Sequence, residues 1–349
     1  MKKNKNKIIP LDQFIDKALY DKKCGYYMKS NPFGKNGDFV TAPSISILFS
    51  EMILVWIISF WENLNKPNKF NIIELGSGNA DMMFQIIKTS KKFSNFYKSC
   101  NFYIYEKSPF LKKIQQSKLQ EFNVKWINNL NNLKKAPSLF LGNEFLDAFP
   151  IKQLIKKKNS WFERHVDTSL KKKIIDKKIN KNNYKKILNF SFFKNQKFIE
   201  FSPSLMKFLK TIFNQIKLKN GGFLIIDYGY YNNKMFDTLQ SIKNHKKNNW
   251  LKNIGKADLT YLVNFKLIEV LTKKYNLKVN RLTSQREFLI NLGILNRAEI
   301  ISKNLIFSKK ADIYYRLNRL INKSEMGELF KVMFVLNKKI KFNTGFVDD

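Results

Sequence analysis

Residues 71–80, NIIELGSGNA, constrain the fold of this chain more than any other stretch. The apolar run Asn71–Leu75 stops at Gly76-Ser77-Gly78, and a helix-like pattern follows from Ala80 to Lys88. A short strand that ends in a glycine turn and opens a helix is the first half of a βαβ unit. There the glycines allow a sharp turn and close approach of backbone to ligand. The rhythm continues. Phe102–Glu106 reads as a second strand, followed by a helix with Ser108 at its N-cap and Pro109 in its first turn. Val124–Ile127 and Ser138–Leu141 read as third and fourth strands. Gly222–Asp227 is a fifth, after a helix over Ser204–Leu218 and a Gly221-Gly222 stop. Short strands alternating with helices predict an α/β fold with a doubly wound, Rossmann-like parallel sheet.

The remaining chain divides around that core. Residues 1–69 form an N-terminal glycine- and aromatic-rich loop, read as a lid, and a helical segment. Residues 70–150 and 202–230 form the cofactor-binding core. Residues 151–201 form a lysine-rich insertion, with Trp161–Val166 and Lys197–Phe201 as antiparallel strands and Lys171–Lys186 as a solvated loop. Residues 231–300 form a second, largely helical excursion on the substrate side, so the inserted regions together are α+β. Residues 301–349 supply a C-terminal helix and a return strand over Phe330–Leu336. The most apolar stretch, Ile45–Trp61, contains Glu51 and is short for a membrane span; it reads as a buried helix under the sheet.

The chemistry gathers at the carboxyl ends of the strands, where open α/β sheets bind ligands. A dinucleotide site would carry a third glycine where this chain has Asp81, and a carboxylate there repels a pyrophosphate. A cationic nucleoside without phosphates, S-adenosylmethionine, fits better, because Glu74 or Asp81 can balance its ammonium and sulfonium while Gly76, Ser77 and Gly78 let it approach. Glu106, at the end of the second strand, can accept hydrogen bonds from both ribose hydroxyls; alternatively it only caps the helix at Ser108. After the fourth strand comes Gly142-Asn143-Glu144-Phe145-Leu146-Asp147. Asn143 and Glu144 are expected to face the transferred methyl group. The carboxylates of Glu144 and Asp147 suit a guanidinium, held by bidentate hydrogen bonds, so these two are the candidate catalytic residues. Asp38 and Thr41 are candidate polar contacts from the lid. The sheet is therefore expected to be of the class I methyltransferase type, with no metal.

The charge points less clearly to a partner. Of 349 residues, 64 are Lys or Arg and 27 Asp or Glu, a formal charge of +37. Nearly all the positive charge is lysine, whereas specific nucleic-acid readers lean on arginine, and no Asn/Asp-Pro-Pro-aromatic motif follows the fourth strand. Nucleic acid is thus an unexpected partner, and a protein substrate the expected one. Two cysteines and two histidines exclude a disulfide scaffold and make zinc chemistry or a histidine-based triad poor fits. Met1–Pro10 lacks the look of a secretory or transit peptide, so a bacterial cytoplasm is expected, with the mitochondrial matrix as the eukaryotic equivalent.

Taken along nearly the whole chain, the motifs resemble the MidA family, the group that includes the mitochondrial complex I assembly methyltransferase. Gly25-Tyr26-Tyr27, Pro32-Phe33-Gly34 and GDFVTAP at residues 37–43 look like its N-terminal signature. ELGSGNADMM, EKSP with Gln115-Gln116, NEFLDAFP, IIDYG and ADLTYLVNF follow in family order. The resemblance implies a Rossmann-like fold, S-adenosylmethionine as cofactor and protein-arginine N-methylation, with the large core subunit of respiratory complex I as candidate substrate. An RNA methyltransferase and a non-catalytic assembly factor are the alternatives. Two departures stand out: Asn79-Ala80-Asp81 replaces Arg-Gly-Thr, and Leu262-Val263-Asn264-Phe265 replaces His-Val-Asp-Phe.

Overall fold

A computed structural model describes residues 8–29, 31–34, 38, 41–169 and 172–346. Its central sheet contains the five expected parallel strands, here β1 (Phe70–Leu75), β2 (Cys100–Tyr105), β3 (Val124–Ile127), β4 (Ser138–Asn143) and β5 (Gly222–Tyr230). Two more follow, β6 (Leu277–Val279) and β7 (Phe330–Asn337), and the spatial order is β6-β7-β5-β4-β1-β2-β3. β7 is the return strand, antiparallel to β5 and paired with it from Gly222↔Leu336 to Tyr228↔Phe330. Chain order reverses between β1 and β4, which pair in parallel from Asn71↔Ser138 to Glu74↔Leu141. That reversal opens a crevice beyond their carboxyl ends.

Both faces of the sheet are covered, which is why its strands read as continuous apolar runs rather than alternating ones. On one face lies the helix Ile47–Asn63, capped by Ser46, with the side chains of Trp56, Ile57 and Phe60 fully buried. Its Glu51 makes a two-point ion pair with Arg297, Nε to Oε2 at 2.9 Å and Nη2 to Oε1 at 3.2 Å, tying it to the helix Ile294–Ser302. On the other face lie the helices Pro203–Lys219 and Phe265–Lys274. Among the described residues no helix is long and apolar enough to cross a membrane.

Three expectations are corrected. Lys171–Lys186 is not a solvated loop: Lys173–Lys178 is a strand paired antiparallel with Ser160–Asp167. Lysines flank Ile174, Ile175 and Asp176 in a strand that lies along an edge of its sheet, a composition easily mistaken for a charge run. Residues 232–264 are not helical either, because Gln240–Lys243 pairs with both Lys246–Lys247 and Asp258–Thr260 in a small sheet; helix begins only at Phe265. Finally, Asn220 rather than Gly221 takes the left-handed position that ends the helix Pro203–Lys219, at φ 51°.

The insertion is stitched to the start of the chain. Ile8–Pro10 pairs antiparallel with His165–Asp167, and the helix Leu11–Tyr20 buries Leu11, Phe14, Ile15, Ala18 and Leu19. These residues pack with Leu259 and Tyr261 in a third apolar cluster. The N-terminal segment, the insertion and the small sheet therefore meet over the crevice.

Candidate active site

The turn after β1 does what its glycines suggest. Gly76 and Gly78 have φ of 64° and 51°. A Cβ on Gly76 would stand 2.7 Å from Cδ2 of Phe145, so only glycine lets the turn lie under that ring. Ala80 is also left-handed, φ 59°, and fully buried; this is the position where the resembled family has glycine, the residue that adopts such a φ without strain. Glu74 is buried, accepts hydrogen bonds from Ser77 Oγ and from the Met83 backbone N–H, and burial pushes its pKa to about 8. Glu106 accepts from Ser108 N at 2.8 Å and from Gln115 Nε2 at 2.8 Å. The same Gln115 amide donates to the carbonyl of Gly78 at 3.0 Å. Gln115 thus couples the glycine turn to the acid at the end of β2, a function that its place in a quoted motif did not disclose.

Two adjoining cavities lie beyond these strand ends. The larger, of ≈ 280 Å³, is lined by Tyr20, Tyr27, Glu106, Glu144, Asp147 and Asp258 among others. The smaller, of ≈ 40 Å³, is lined by Thr41, Glu74, Ser77, Asn79, Asp81 and Asn143. Gly76, Gly78, Phe33 and Glu144 border both. Of the ten residues singled out from sequence for the site, Asp38 alone borders neither cavity. Its carboxylate accepts from Tyr26 OH at 2.6 Å and from the Asn244 backbone N–H at 2.5 Å, joining the N-terminal segment to the small sheet. Asp81, the other candidate counter-charge, is already paired with Lys118 and accepts from Ser44 Oγ at 2.8 Å.

The smaller cavity suits the amino-acid end of S-adenosylmethionine. The side-chain oxygens Asn79 Oδ1 and Asn143 Oδ1 are buried there without a hydrogen-bond partner. Beside them is Glu74, held partly neutral by burial. An ammonium would satisfy orphaned acceptors and bring a buried carboxyl its counter-charge. Glu106 in the larger cavity retains acceptor capacity for ribose hydroxyls, since each carboxylate oxygen takes more than one hydrogen bond.

The walls of the larger cavity are rich in buried acids. Glu144 sits at φ 49°, a costly conformation for a residue with a Cβ. Its backbone N–H donates to Ile226 O at 2.9 Å and its carboxylate accepts from the Ala42 N–H. Burial first, and the Asp147 charge second, raise its pKa to about 8. Asp147 accepts from Tyr228 OH, while its Oδ1 is buried without a partner; burial raises its pKa to about 6. Two acids were not anticipated from sequence. Asp258, on the small sheet, accepts from Tyr27 OH at 2.9 Å and is pushed to about 8 by burial and by Asp147. Asp227, on β5, is fully buried against the 144–147 loop. Both stand in quoted motifs, IIDYG and ADLTYLVNF, but only the fold brings them to the same crevice. No lysine or arginine pairs with any of these four acids among the described residues. The departures at Leu262 and Asn264 lie away from this chemistry, for neither borders the two cavities. Asn264 instead caps the helix Phe265–Lys274, accepting from Leu267 N at 3.2 Å.

A Rossmann-like sheet, a glycine turn after its first strand and a strand-end acid define a nucleoside-cofactor enzyme of the methyltransferase class. The chain belongs to the family described as "Putative S-adenosyl-L-methionine-dependent methyltransferase", which matches residues 52–283. Its similarity extends over 94% of the chain to "Protein arginine methyltransferase NDUFAF7, mitochondrial" of Xenopus tropicalis, 28% identical with 82% of that protein covered. The Homo sapiens protein of the same name is 26% identical, with 94% of this chain and 80% of that one covered. The fold is shared with a superfamily member from Burkholderia thailandensis whose crystal structure was solved bound to S-adenosyl-homocysteine. That match has a TM-score of 0.79 and 21% identity, and covers 97% of this chain and 90% of that one. The methyltransferase class and the S-adenosylmethionine cofactor therefore stand, as does the Rossmann-like fold.

Proposed function

We propose that this protein N-methylates an arginine side chain of a respiratory complex I subunit, the large core subunit being the candidate, during assembly of the complex. The observation that carries the reading is the ring of buried acids without a cationic partner around the larger cavity. Burying carboxylates costs several kcal/mol each unless a counter-charge arrives, and a guanidinium brings one positive charge with five donors in a planar fork. Glu144 and Asp147 are assigned to grip and orient it, with Glu74, Gly76, Ser77, Gly78, Glu106, Asn143 and Thr41 on the cofactor side. The bound cofactor supplies an electrophilic methyl group. The chain's own contribution is to hold the guanidinium nitrogen in line with that group and to exclude water, which is positioning and electrostatics rather than strong-base chemistry. The nitrogen that gains the methyl gives up one proton, and a carboxylate whose pKa burial has raised, as at Glu144, is suited to take it.

The names of the relatives from Xenopus tropicalis and Homo sapiens support arginine as the target. A nucleobase is disfavoured, because an anionic polynucleotide would have to approach the acids Glu106, Glu144, Asp147 and Asp258 that line the larger cavity and would oppose their ionisation. The segments 151–201 and 231–300 are assigned to substrate selection, and the site of action to the compartment where complex I is assembled, a bacterial cytoplasm or a mitochondrial matrix. Mass spectrometry of complex I subunits from cells with and without the protein tests the reading: a methylarginine present only with it is expected. An unchanged methylarginine pattern would refute it.

A further inference from the structure

Asp227 has no role in the reading above, yet its surroundings are unusual. Its Oδ2 accepts from three consecutive backbone N–H groups, those of Phe145 at 3.2 Å, Leu146 at 2.9 Å and Asp147 at 3.4 Å. Its Oδ1 accepts from Tyr228 N at 2.9 Å. Every neighbour hydrogen-bonded to this carboxyl is a donor, so a proton on either oxygen would point at an N–H. The loop it holds is the one that carries both Glu144, in its strained left-handed conformation, and Asp147. We propose that Asp227 is the positioning residue of the methyl-transfer site: one carboxylate gathers the N–H groups of 145–147 and thereby fixes the relative placement of Glu144 and Asp147.

The proposal rests on the arginine reading, since it explains how the guanidinium grip is pre-organised. Burial and the Asp147 charge favour a proton on this carboxyl, whereas its four N–H donors favour the ionised form, which places a negative charge behind that grip. The groups facing Asp147 and Asp227 across the crevice are Glu144 on the same loop, Tyr228 on β5, Asp258 and Tyr261 on the small-sheet segment, and Tyr20 and Tyr27 from the N-terminal segment. None of them is a base whose positive charge would mask a change at Asp227.

The experiment compares methyl transfer to an arginine peptide by wild type, Asp227→Asn and Tyr228→Phe, each as a full pH profile. An amide at 227 must turn its NH2 either toward the 145–147 N–H groups or toward the Tyr228 N–H, so a donor faces a donor in both orientations. The rate should therefore fall by about 100-fold, with cofactor affinity changed by less than about threefold. Removal of the negative charge should also move the acidic limb of kcat/KM to lower pH by about one unit, a shift that mere loosening of the fold would not give. Tyr228→Phe leaves Asp227 and its N–H contacts in place but removes a donor from Asp147. It should keep the rate within about tenfold and move the limb the other way. If Asp227→Asn retains wild-type rate, or loses rate with an unmoved limb, the positioning role is wrong. If that variant does not fold, Tyr228→Phe decides: a collapse of its rate by about 100-fold would mean that the hydroxyl, not Asp227, places the loop. Wild type that binds cofactor but transfers no methyl to arginine would overturn the arginine reading and this one with it. An active wild type with an indifferent Asp227→Asn overturns only this one.

Discussion

The carboxylate of Asp81, first residue of the helix after the glycine turn, is paired with the ammonium of Lys118 on the last turn of the helix Pro109–Lys118. That pairing answers the question raised by an acid where the family has threonine. Asp81 adds a charge beside the cofactor's cavity, and Lys118 cancels it locally, so Glu74 and Glu144 are left as the uncompensated acids of the smaller cavity. Lys118→Met should therefore leave S-adenosylmethionine affinity unchanged or raise it, because it frees the Asp81 charge. Both side chains are about one-third exposed, so the stability cost should stay below about 1 kcal/mol. Glu74→Gln should instead weaken binding by about tenfold or more. Calorimetric titration reads both, and a loss of affinity in Lys118→Met would contradict the division of labour.

Gly76 is the position where the turn has least latitude. Its left-handed φ costs an L-residue about 1–2 kcal/mol, and the added methyl would meet Phe145, itself hemmed in by Phe149 and Phe208 at ring separations of 5.3 and 5.5 Å. Gly76→Ala should lower the melting temperature and reduce cofactor affinity by more than about tenfold. Ala80 shows the contrast, since it is left-handed with a Cβ already in place. Retained affinity in Gly76→Ala would mean that Phe145 yields, and with it the loop to Glu144.

Acid burial makes stability depend on pH in an unusual direction. Unfolded, these carboxyls titrate near about 4; folded, Glu144 and Asp258 hold protons up to about 8 and Asp147 up to about 6. Between those values the folded state binds more protons than the unfolded state, so their contribution is full below the unfolded pKa and is lost as pH rises through the folded one. Glu144→Gln removes one such group. Its melting temperature relative to wild type should rise steadily between about pH 5 and about pH 8.5, measured without ligand. A difference independent of pH would show that Glu144 is not held protonated.

How much of this was legible in the sequence follows from what kind of contact each part needs. The βαβ core is local: Asn71–Leu75 with its glycine turn, or Ser108-Pro109 at a helix start, carries its own signal within a few residues. The helix Ile47–Asn63 was equally plain because it is apolar all round. The insertions were harder. Lys173–Lys178 becomes a strand only because Ser160–Asp167 offers it an edge, and the small sheet at 240–260 is built from two- to four-residue strands too short to show a period. The site divides in the same way. Glu144 and Asp147 lie beside each other in a loop after a recognisable strand, whereas Asp227 and Asp258 join them from 80 and 111 residues away along the chain, a convergence that spacing cannot express. Asp38 was singled out as a polar contact for the cofactor, whereas in the structure its carboxylate joins Tyr26 to Asn244 and borders neither cavity. The +37 charge also dwindles in meaning, for the cavity walls are rich in acids, and Lys107 at the larger cavity and Lys118 beside the smaller one pair with Asp16 and Asp81.

Asp38 supplies the last test, because two ideas about it diverge. Its carboxylate bridges Tyr26 OH and the Asn244 N–H, so it closes the N-terminal segment over the crevice rather than touching what is bound there. On that account Asp38→Ala should speed cofactor release by about tenfold while leaving association nearly unchanged, since interface and closure contacts act mainly on off-rates. Direct contact with the cofactor would give a similar loss, so the single variant does not discriminate. Tyr26→Phe does. Tyr26 borders neither cavity, and its hydroxyl donates to the Asp38 carboxylate at 2.6 Å. Faster cofactor release in Tyr26→Phe, in the same direction as Asp38→Ala and smaller because the Asn244 contact survives, is the expected stopped-flow result. Normal release from Tyr26→Phe beside fast release from Asp38→Ala would instead place the Asp38 carboxylate on the cofactor itself.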